Sequence, residues 1–271
     1  MSGGGLVVCP TPIGNLGDVT LRALDVLREA DVVACEDTRH TGRLLAAHSV
    51  RARSLVSYHE HNETSRTPSL VSQMQSGSVV ALVTDAGMPS VSDPGYVLIR
   101  AAVEQGLRVE VLPGASAPVV AVVLSGLPAD RWRFVGFLPR KAADLAAVFA
   151  SPETTVAFES PRRLVATLSA LVDVDPSRPV AVCRELTKVH EEVVRGDAAS
   201  VAAHFASADP RGEIVVVIGA APAASTDVPP AVDALAALVE AGAKPRPAAK
   251  VVAELTGVAA NKLYAELQSR R

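Results

Sequence analysis

The chain has 271 residues, enough for two domains of ordinary size, and 49% of them are apolar, enough to bury a large core. Aromatic residues make up only 3%, which argues against a surface of base-stacking rings. A net charge of −3 excludes a general polyanion binder, so any contact with nucleic acid needs a local basic patch.

The N-terminus, Met1 to Cys9, has no basic region and no long apolar stretch, so it does not read as a signal peptide. No apolar run is long enough for a bilayer, and a soluble cytoplasmic protein is expected. Leu6 to Cys9 reads as a first strand, followed by the bend Pro10-Thr11-Pro12-Ile13-Gly14-Asn15. Thr20 suits an N-cap, and Leu21, Leu24 and Leu27 continue a helix. Asp31 to Cys35 is the next strand, then Glu36-Asp37-Thr38-Arg39-His40 and a helix to Ala47. Ser54 to Tyr58 is a third strand, and His59 to Glu63 a polar loop before a helix near Thr67 to Gln75. Val79 to Thr84 and Val109 to Leu112 complete the set, with a helix from Tyr96 to Gln105 between them. Strand then helix, repeated, predicts a mainly parallel sheet covered on both faces. The cysteines, Cys9, Cys35 and Cys183, are far apart in apolar runs, the pattern of reduced buried thiols rather than disulfides or a metal site.

Pro113-Gly114-Ala115-Ser116 opens an apolar helix, Ala117 to Ser125, and Gly126 to Asp130 marks a domain boundary. A second set of strands follows at Phe134 to Phe137, Thr155 to Phe158, Val180 to Arg184, Glu192 to Arg195 and Ile214 to Ile218, some expected to be antiparallel. Ala220 to Pro230 reads as a linker. Ala231 to Arg271 shows no strand pattern and reads as three short helices with turns near Gly242 and Gly257. The domains expected are therefore 1–125, 126–220 and a helical extension, 231–271.

Three bends rich in glycine and proline leave strands of the first half: Pro10 to Gly17, Asp85 to Gly95 and Pro113 to Ser116. In a parallel sheet they open on one edge, where open α/β sheets bind ligands. The stretch from Thr84 to Gly95 is longer than a turn requires and is stiffened by Pro89 and Pro94, so it reads as a ligand cradle. The alternative is a set of tight turns. No bend carries Gly-Lys-Ser/Thr or GxGxxG, which argues against a P-loop NTPase and an ordinary dinucleotide site.

Several segments carry a family resemblance. They are Val8-Cys9-Pro10-Thr11-Pro12-Ile13-Gly14-Asn15-Leu16, Glu36-Asp37-Thr38-Arg39-His40-Thr41, Ser57-Tyr58-His59-Glu60-His61-Asn62-Glu63, Asp85-Ala86-Gly87 and Ser92-Asp93-Pro94-Gly95, and further on Gly136-Phe137-Leu138-Pro139-Arg140-Lys141 and Arg184-Glu185-Leu186-Thr187-Lys188. In this order, over roughly residues 6 to 219, they resemble the ribosomal RNA small-subunit methyltransferase I family of the tetrapyrrole (corrin/porphyrin) methylase superfamily. The tail resembles that family's helical extension. The resemblance implies two α/β domains with S-adenosylmethionine in a cleft between them, a homodimer, and methyl transfer to the ribose 2′-hydroxyl of a cytidine in 16S ribosomal RNA. Met88 departs from the family's usual Thr, Arg162 from its usual His, and Ala142 to Leu145 is poor in arginine.

By that resemblance, Pro12, Asp85, Ala86, Gly87, Met88, Asp93, Ser116, Ala117, Phe158, Glu185 and Leu186 approach the cofactor. A ribose hydroxyl needs its proton drawn away. Glu36, Asp37 and His59 are the candidates, with a backbone-bonded loop histidine and helix-terminal charge as the competing readings. Arg39, Lys141 and Lys188 suit RNA phosphates, although surface ion pairing explains Arg39 and Lys188 equally well. In the tail, Lys244, Arg246, Lys250, Lys262, Arg270 and Arg271 outweigh Glu254 and Glu266, which suits a helix-turn-helix-like RNA contact or equally a packing appendage. A tetrapyrrole methyltransferase of the same fold and a binding protein without catalysis are the alternatives. The first motifs and the basic tail favour RNA. No metal is expected.

Overall fold

Alternating apolar strands and amphipathic helices fold the first half into one parallel sheet. Strands β1 (Gly5–Val8), β2 (Val32–Cys35), β3 (Leu55–Ser57), β4 (Val79–Val83) and β5 (Arg108–Val111) lie in the order β3-β2-β4-β1-β5, every pairing parallel. This computed structural model describes residues 4–208, 210–222 and 228–269. Arg270 and Arg271 of the basic tail, and residues 223–227 of the expected linker, lie outside the described residues.

Successive side chains of a strand point to opposite faces. Val7, Val33, Ala81 and Val83 therefore pack with Ala23 and Leu27 of α1 (Leu21–Glu29) and Leu45 of α2 (Thr38–Ala47). Leu6, Val8, Ala34, Val80 and Leu82 pack on the other face with Leu70 and Met74 of α3 (Glu63–Gln75) and Leu98 and Ala102 of α4 (Tyr96–Glu104). Helix α3 begins at Glu63 rather than near Thr67. Its first turn is polar, and only Thr67, Leu70 and Met74 are buried, so the apolar period starts late. Thr20 caps α1 through a hydrogen bond from the Ala23 amide, as its position suggested.

The second sheet is mixed. Strands β6 (Trp132–Phe137), β7 (Thr154–Glu159), β8 (Pro179–Arg184), β9 (Glu192–Asp197) and β10 (Ile214–Ile218) lie in the order β6-β7-β10-β8-β9. Only β6 and β7 run parallel. Helices α6 (Ala142–Phe149), α7 (Pro161–Val174) and α8 (Ala198–Ala206) cover one face through Leu145, Leu164, Leu168 and Phe205. The other face, with Val156, Ala181, Cys183, Val215 and Val217, receives Ala121 and Val122 of α5 (Ala117–Ser125) together with Ile13. Helix α5 follows the first sheet in the chain but packs on the second, and its apolar sequence suits that buried place.

Residues 1–149 and 153–219 form one compact unit holding both sheets, and residues 150–152 and 220–271 form another. The smaller unit contains α9 (Val228–Glu240), α10 (Pro245–Thr256) and α11 (Ala260–Ser269) around Val232, Leu235, Val252, Leu263 and Leu267. Gly257 ends α10 in a left-handed cap at φ 71°, and a short turn leads into α11. Among the described residues, no helix is long and apolar enough to cross a membrane.

Arg178 ties the start of β8 to its surroundings. It is 3% exposed, and Nη1 donates to the carbonyl oxygens of Phe149 at 3.0 Å and Gly219 at 3.4 Å. Replacing it with Met leaves those carbonyls without their donor, so Arg178→Met should lower unfolding stability by about 2 kcal/mol. Urea titration checks this, and an unchanged midpoint would refute the bracing role.

Candidate functional site

Because the strands of the first sheet are parallel, the loops after β1 and β4 leave from one edge. There they are joined by backbone. The Thr11 amide donates to the Gly87 carbonyl at 2.9 Å, and the Gly87 amide donates to the Thr11 carbonyl at 3.0 Å. Thr11 Oγ1 also donates to the Thr84 carbonyl at 3.0 Å. Gly87 makes this bridge at φ +77°, where a side chain is strained, and an added Cβ would stand 3.4 Å from Ile13 Cγ2. Ser90 and Ser92 in the same loop also have positive φ, 72° and 63°. Such strain persists only where surrounding structure fixes it, and it concentrates at functional sites.

The second sheet supplies the opposite wall. Phe158 and Glu159 close β7, Leu186 follows β8, and Gly212 to Val215 lead into β10. Between the walls lies a cavity of about 370 Å³, within the range of small-molecule sites. Ile13, Met88, Phe137, Phe158 and Leu186 make it largely apolar. Phe158 stands edge-on to Phe134, with centroids 5.1 Å apart, and 5.5 Å from Phe137. The polar and charged residues around the cavity are Ser92, Asp93 and Ser116 from the first sheet's loops and Glu159, Ser160 and Glu213 from the second sheet. Glu159 is 2% exposed and held by Thr167 Oγ1 at 2.6 Å and the Ser160 amide at 2.7 Å.

A second cavity of about 450 Å³ adjoins the first. Thr11 to Gly14, Leu16, His40, Leu44, Asp85 and Lys188 surround it, and Ile13, Ala86 and Glu213 belong to both cavities. At its margin the Asn15 amide donates to Thr187 Oγ1 at 3.0 Å, joining the first loop of one sheet to a loop of the other.

Carboxylates dominate the charge. Burial, with Glu36, Asp85 and Glu213 nearby, pushes Asp93 up to about 7. Lys188 is held by Glu185 at 2.8 Å and Glu213 at 3.1 Å. Burial opposes its charge, but the two carboxylates outweigh it and keep the ammonium protonated above its ordinary range. Burial likewise opposes ionisation of Glu185, yet the Lys188 ammonium and the Glu213 amide hold its carboxyl low.

Of the residues expected at a cofactor, Ala86, Gly87, Met88, Asp93, Ser116, Ala117, Phe158 and Leu186 line the first cavity. Pro12 and Asp85, with Ala86 again, line the second. Glu185 lines neither; its carboxylate pairs with Lys188 and accepts from the Glu213 amide. Glu36, Asp37 and His59 also line neither cavity. Glu36 Oε2 accepts from the Asp85 amide at 3.4 Å, and Asp85 Oδ1 accepts from the Asp37 amide at 3.1 Å, so these carboxylates brace neighbouring loops. Asp37 caps α2 through the Arg39 amide at 2.7 Å, and Arg39 holds its carboxyl down to about 2. His59 Nε2 lies 3.2 Å from Asn62 Nδ2, and its Nδ1 is buried without a hydrogen-bond partner among the described residues.

Arg39 pairs with Asp37 at 3.0 Å, and Lys141 is exposed just before α6. In the smaller unit, Lys244, Arg246, Lys250 and Lys262 are all exposed, and Arg246 stands 5.6 Å from the Tyr264 ring centroid. Sequence reasoning did not single out Ile13, His40, Glu159 or Glu213. Ile13 and His40 stood inside motifs already quoted, whereas Glu213 follows Gly212 at a strand start with no motif around it. Cys9, Cys35 and Cys183 are buried and unpaired, and burial pushes Cys9 up to about 12.

Residues 5–202 match the family model for tetrapyrrole (corrin/porphyrin) methylases. A protein of Mesorhizobium japonicum named ribosomal RNA small subunit methyltransferase I is 46% identical over 97% of this chain and 90% of its own length. A protein of the same name from Micromonospora olivasterospora is 46% identical over 98% of this chain and 87% of its own. The crystal structure of uroporphyrin-III C-methyltransferase from Thermus thermophilus with S-adenosylhomocysteine superposes with a TM-score of 0.56, covering 80% of this chain and 97% of that one at 21% identity, a likeness of fold.

Asp93 gives the site a pH signature. Its folded carboxyl keeps a proton up to about pH 7, whereas an unfolded one releases it near about pH 4. Between those values the folded state binds the extra proton, so this group's contribution to stability falls as pH rises. Asp93→Asn should flatten that fall and leave the variant more stable than wild type above about pH 7. Urea unfolding across the window checks this, and parallel profiles would show that Asp93 titrates normally.

Proposed function

We propose that this chain, which belongs to the tetrapyrrole (corrin/porphyrin) methylase family and within it to the ribosomal RNA small subunit methyltransferase I family, transfers a methyl group from S-adenosylmethionine to the ribose 2′-hydroxyl of a cytidine in 16S ribosomal RNA. The observation that carries this reading is the pair of adjoining cavities, one apolar and one charged, that share Ile13, Ala86 and Glu213. Transfer between two substrates needs two such places meeting at one wall. The names of the near full-length relatives supply the substrate class.

The first cavity fits the cofactor. Gly87 leaves room that a Cβ would take near Ile13, and Phe158, Met88 and Leu186 offer apolar cover for an adenine. Asp93, crowded by carboxylates and short of a counter-cation, suits a positively charged ligand. S-adenosylmethionine when bound supplies a methyl group on sulfonium, with a neutral thioether as leaving group. Ala86, Gly87, Ser116 and Ala117 would hold it, Asp93 would face its positive charge, and Asp85 and Pro12 would lie on the acceptor side. Glu185 positions Lys188 and Glu213 rather than touching the cofactor. Holding donor and acceptor in line accounts for a large share of such catalysis.

The second cavity would take one nucleotide turned out of the RNA, and RNA is read in this way where its bases are unstacked. Arg39 and Lys141, with Lys244, Arg246, Lys250 and Lys262 of the smaller unit, would meet phosphates, whereas the charge of Lys188 is taken up by Glu185 and Glu213. The reading places the protein in the cytoplasm, on the small ribosomal subunit. It also makes it a homodimer, with the exposed Val119 and Val123, one turn apart on α5, as support. A small-molecule tetrapyrrole acceptor is the rival reading.

Incubation with isotope-labelled S-adenosylmethionine and undermodified small subunits should label one cytidine ribose, mapped by mass spectrometry. Label in a tetrapyrrole alone would reverse the choice of acceptor. Gly87→Trp should abolish calorimetric binding of S-adenosylhomocysteine in a folded protein, and undiminished binding would remove the first cavity from the cofactor site.

A further inference from the structure

Glu213 differs from every other ionisable residue of the cleft. Among the described residues, it is the titratable residue that lines both cavities. Asp93 and Glu159 face only the first, while Asp85, His40 and Lys188 face only the second. A group between donor and acceptor sites stands where a methyl group must pass.

Its placement is built rather than incidental. The Glu213 amide donates to Glu185 Oε1 at 2.9 Å, and the Glu185 amide donates to the Glu213 carbonyl at 2.9 Å. Glu185 achieves this at φ +51°, a strained conformation for a residue with a side chain. Gly212, at φ +85°, leaves the space that the Glu185 carboxylate fills, where a Cβ would collide with it. Lys188 then reaches both Glu185 and the Glu213 carboxylate. The Glu213 side chain itself remains 71% exposed, so its ion pair adds little stability. Strained backbone and two reciprocal bonds therefore fix the Glu213 backbone beside the cleft, and Lys188 holds its exposed carboxylate.

We infer that Glu213 is a catalytic residue that accepts the proton of the attacking ribose hydroxyl. The inference rests on the function proposed above. As the hydroxyl oxygen bonds to the methyl carbon, the carbon–sulfur pair leaves with sulfur, and the hydroxyl proton passes to a Glu213 carboxylate oxygen and on to solvent. Lys188 steadies that carboxylate and stays a donor throughout. Glu36, Asp37 and His59 serve as loop, cap and side-chain supports around the rim.

The test compares wild type with Glu213→Gln and Glu213→Asp, which keep the backbone bonds to Glu185. In single-turnover transfer to undermodified small subunits, Glu213→Gln should slow methylation by about 10²–10⁴-fold, with Glu213→Asp restoring part of the rate. Affinity for S-adenosylhomocysteine should change far less than the rate in both. A readout without turnover uses small subunits assembled with 2′-deoxycytidine at the target nucleotide. Cofactor-free wild type should bind them more weakly than ordinary subunits, and Glu213→Ala, which removes the acceptor, should lose that preference. A Glu213→Gln rate within about threefold of wild type overturns the inference, and so does a preference retained by Glu213→Ala or a loss of cofactor affinity as large as the loss of rate. Wild-type protein that labels no ribose overturns the functional reading itself.

Discussion

Two backbone hydrogen bonds between Thr11 and Gly87 set the geometry on which the cleft depends. They join the loops of two adjacent parallel strands, β1 and β4, beyond the last paired residues of the sheet. Without that bridge each loop would be a separate turn over solvent. With it, Ile13 is carried to the boundary of both cavities, and Ala86 is presented beside it. Only a residue without a side chain accepts φ +77° there at no cost, so one glycine fixes the shape of a whole rim.

The second sheet is brought to that rim by apolar burial rather than by polar contact. Helix α5 leaves the first sheet and lies on the second, and Ile13 joins the same buried cluster with Val156, Val215 and Leu186. A residue of the first loop is therefore part of the second sheet's core. Burial of such side chains is non-directional, and it holds two layers together without specifying hydrogen-bond geometry. The Asn15–Thr187 hydrogen bond and the Glu185–Glu213 pair add that direction at the margin. Adhesion and registration are thus handled by different residues a few positions apart.

Much of this was legible in the chain because local chemistry and global structure agree at the rim. Gly87, Pro89, Pro94 and Gly95 announce a shaped loop after an apolar run, and the strand runs of the first half are continuous because both faces of the parallel sheet are covered. The start of α3 was obscured because its first turn faces solvent and has no apolar period. The side-chain contacts of the polar motifs were harder to read. Glu36, Asp37 and His59 sit in dense polar motifs, but their side chains go to Asp85, Arg39 and Asn62. Glu213 has no such surroundings in sequence. It reaches both cavities through contacts with Glu185 and Lys188, and pairings across 28 and 25 residues leave no local pattern.

The charge of the cleft follows a logic of its own. In a protein of net charge −3, burial together with the nearby Glu36, Asp85 and Glu213 raises the Asp93 carboxyl to about 7. Such a site repels phosphates. It is suited to a cation and to a neutral sugar and base, not to an RNA backbone entering whole. Two of the candidate RNA contacts lie elsewhere in the same unit, Arg39 outside both cavities and Lys141 just before α6. In the proposed reading this separation divides the labour. Phosphates are held where positive charge is solvated and cheap to present, while one nucleoside is admitted to an acidic interior. Lys188 is the exception that supports the rule, because it faces the acceptor cavity but its charge is already matched by Glu185 and Glu213.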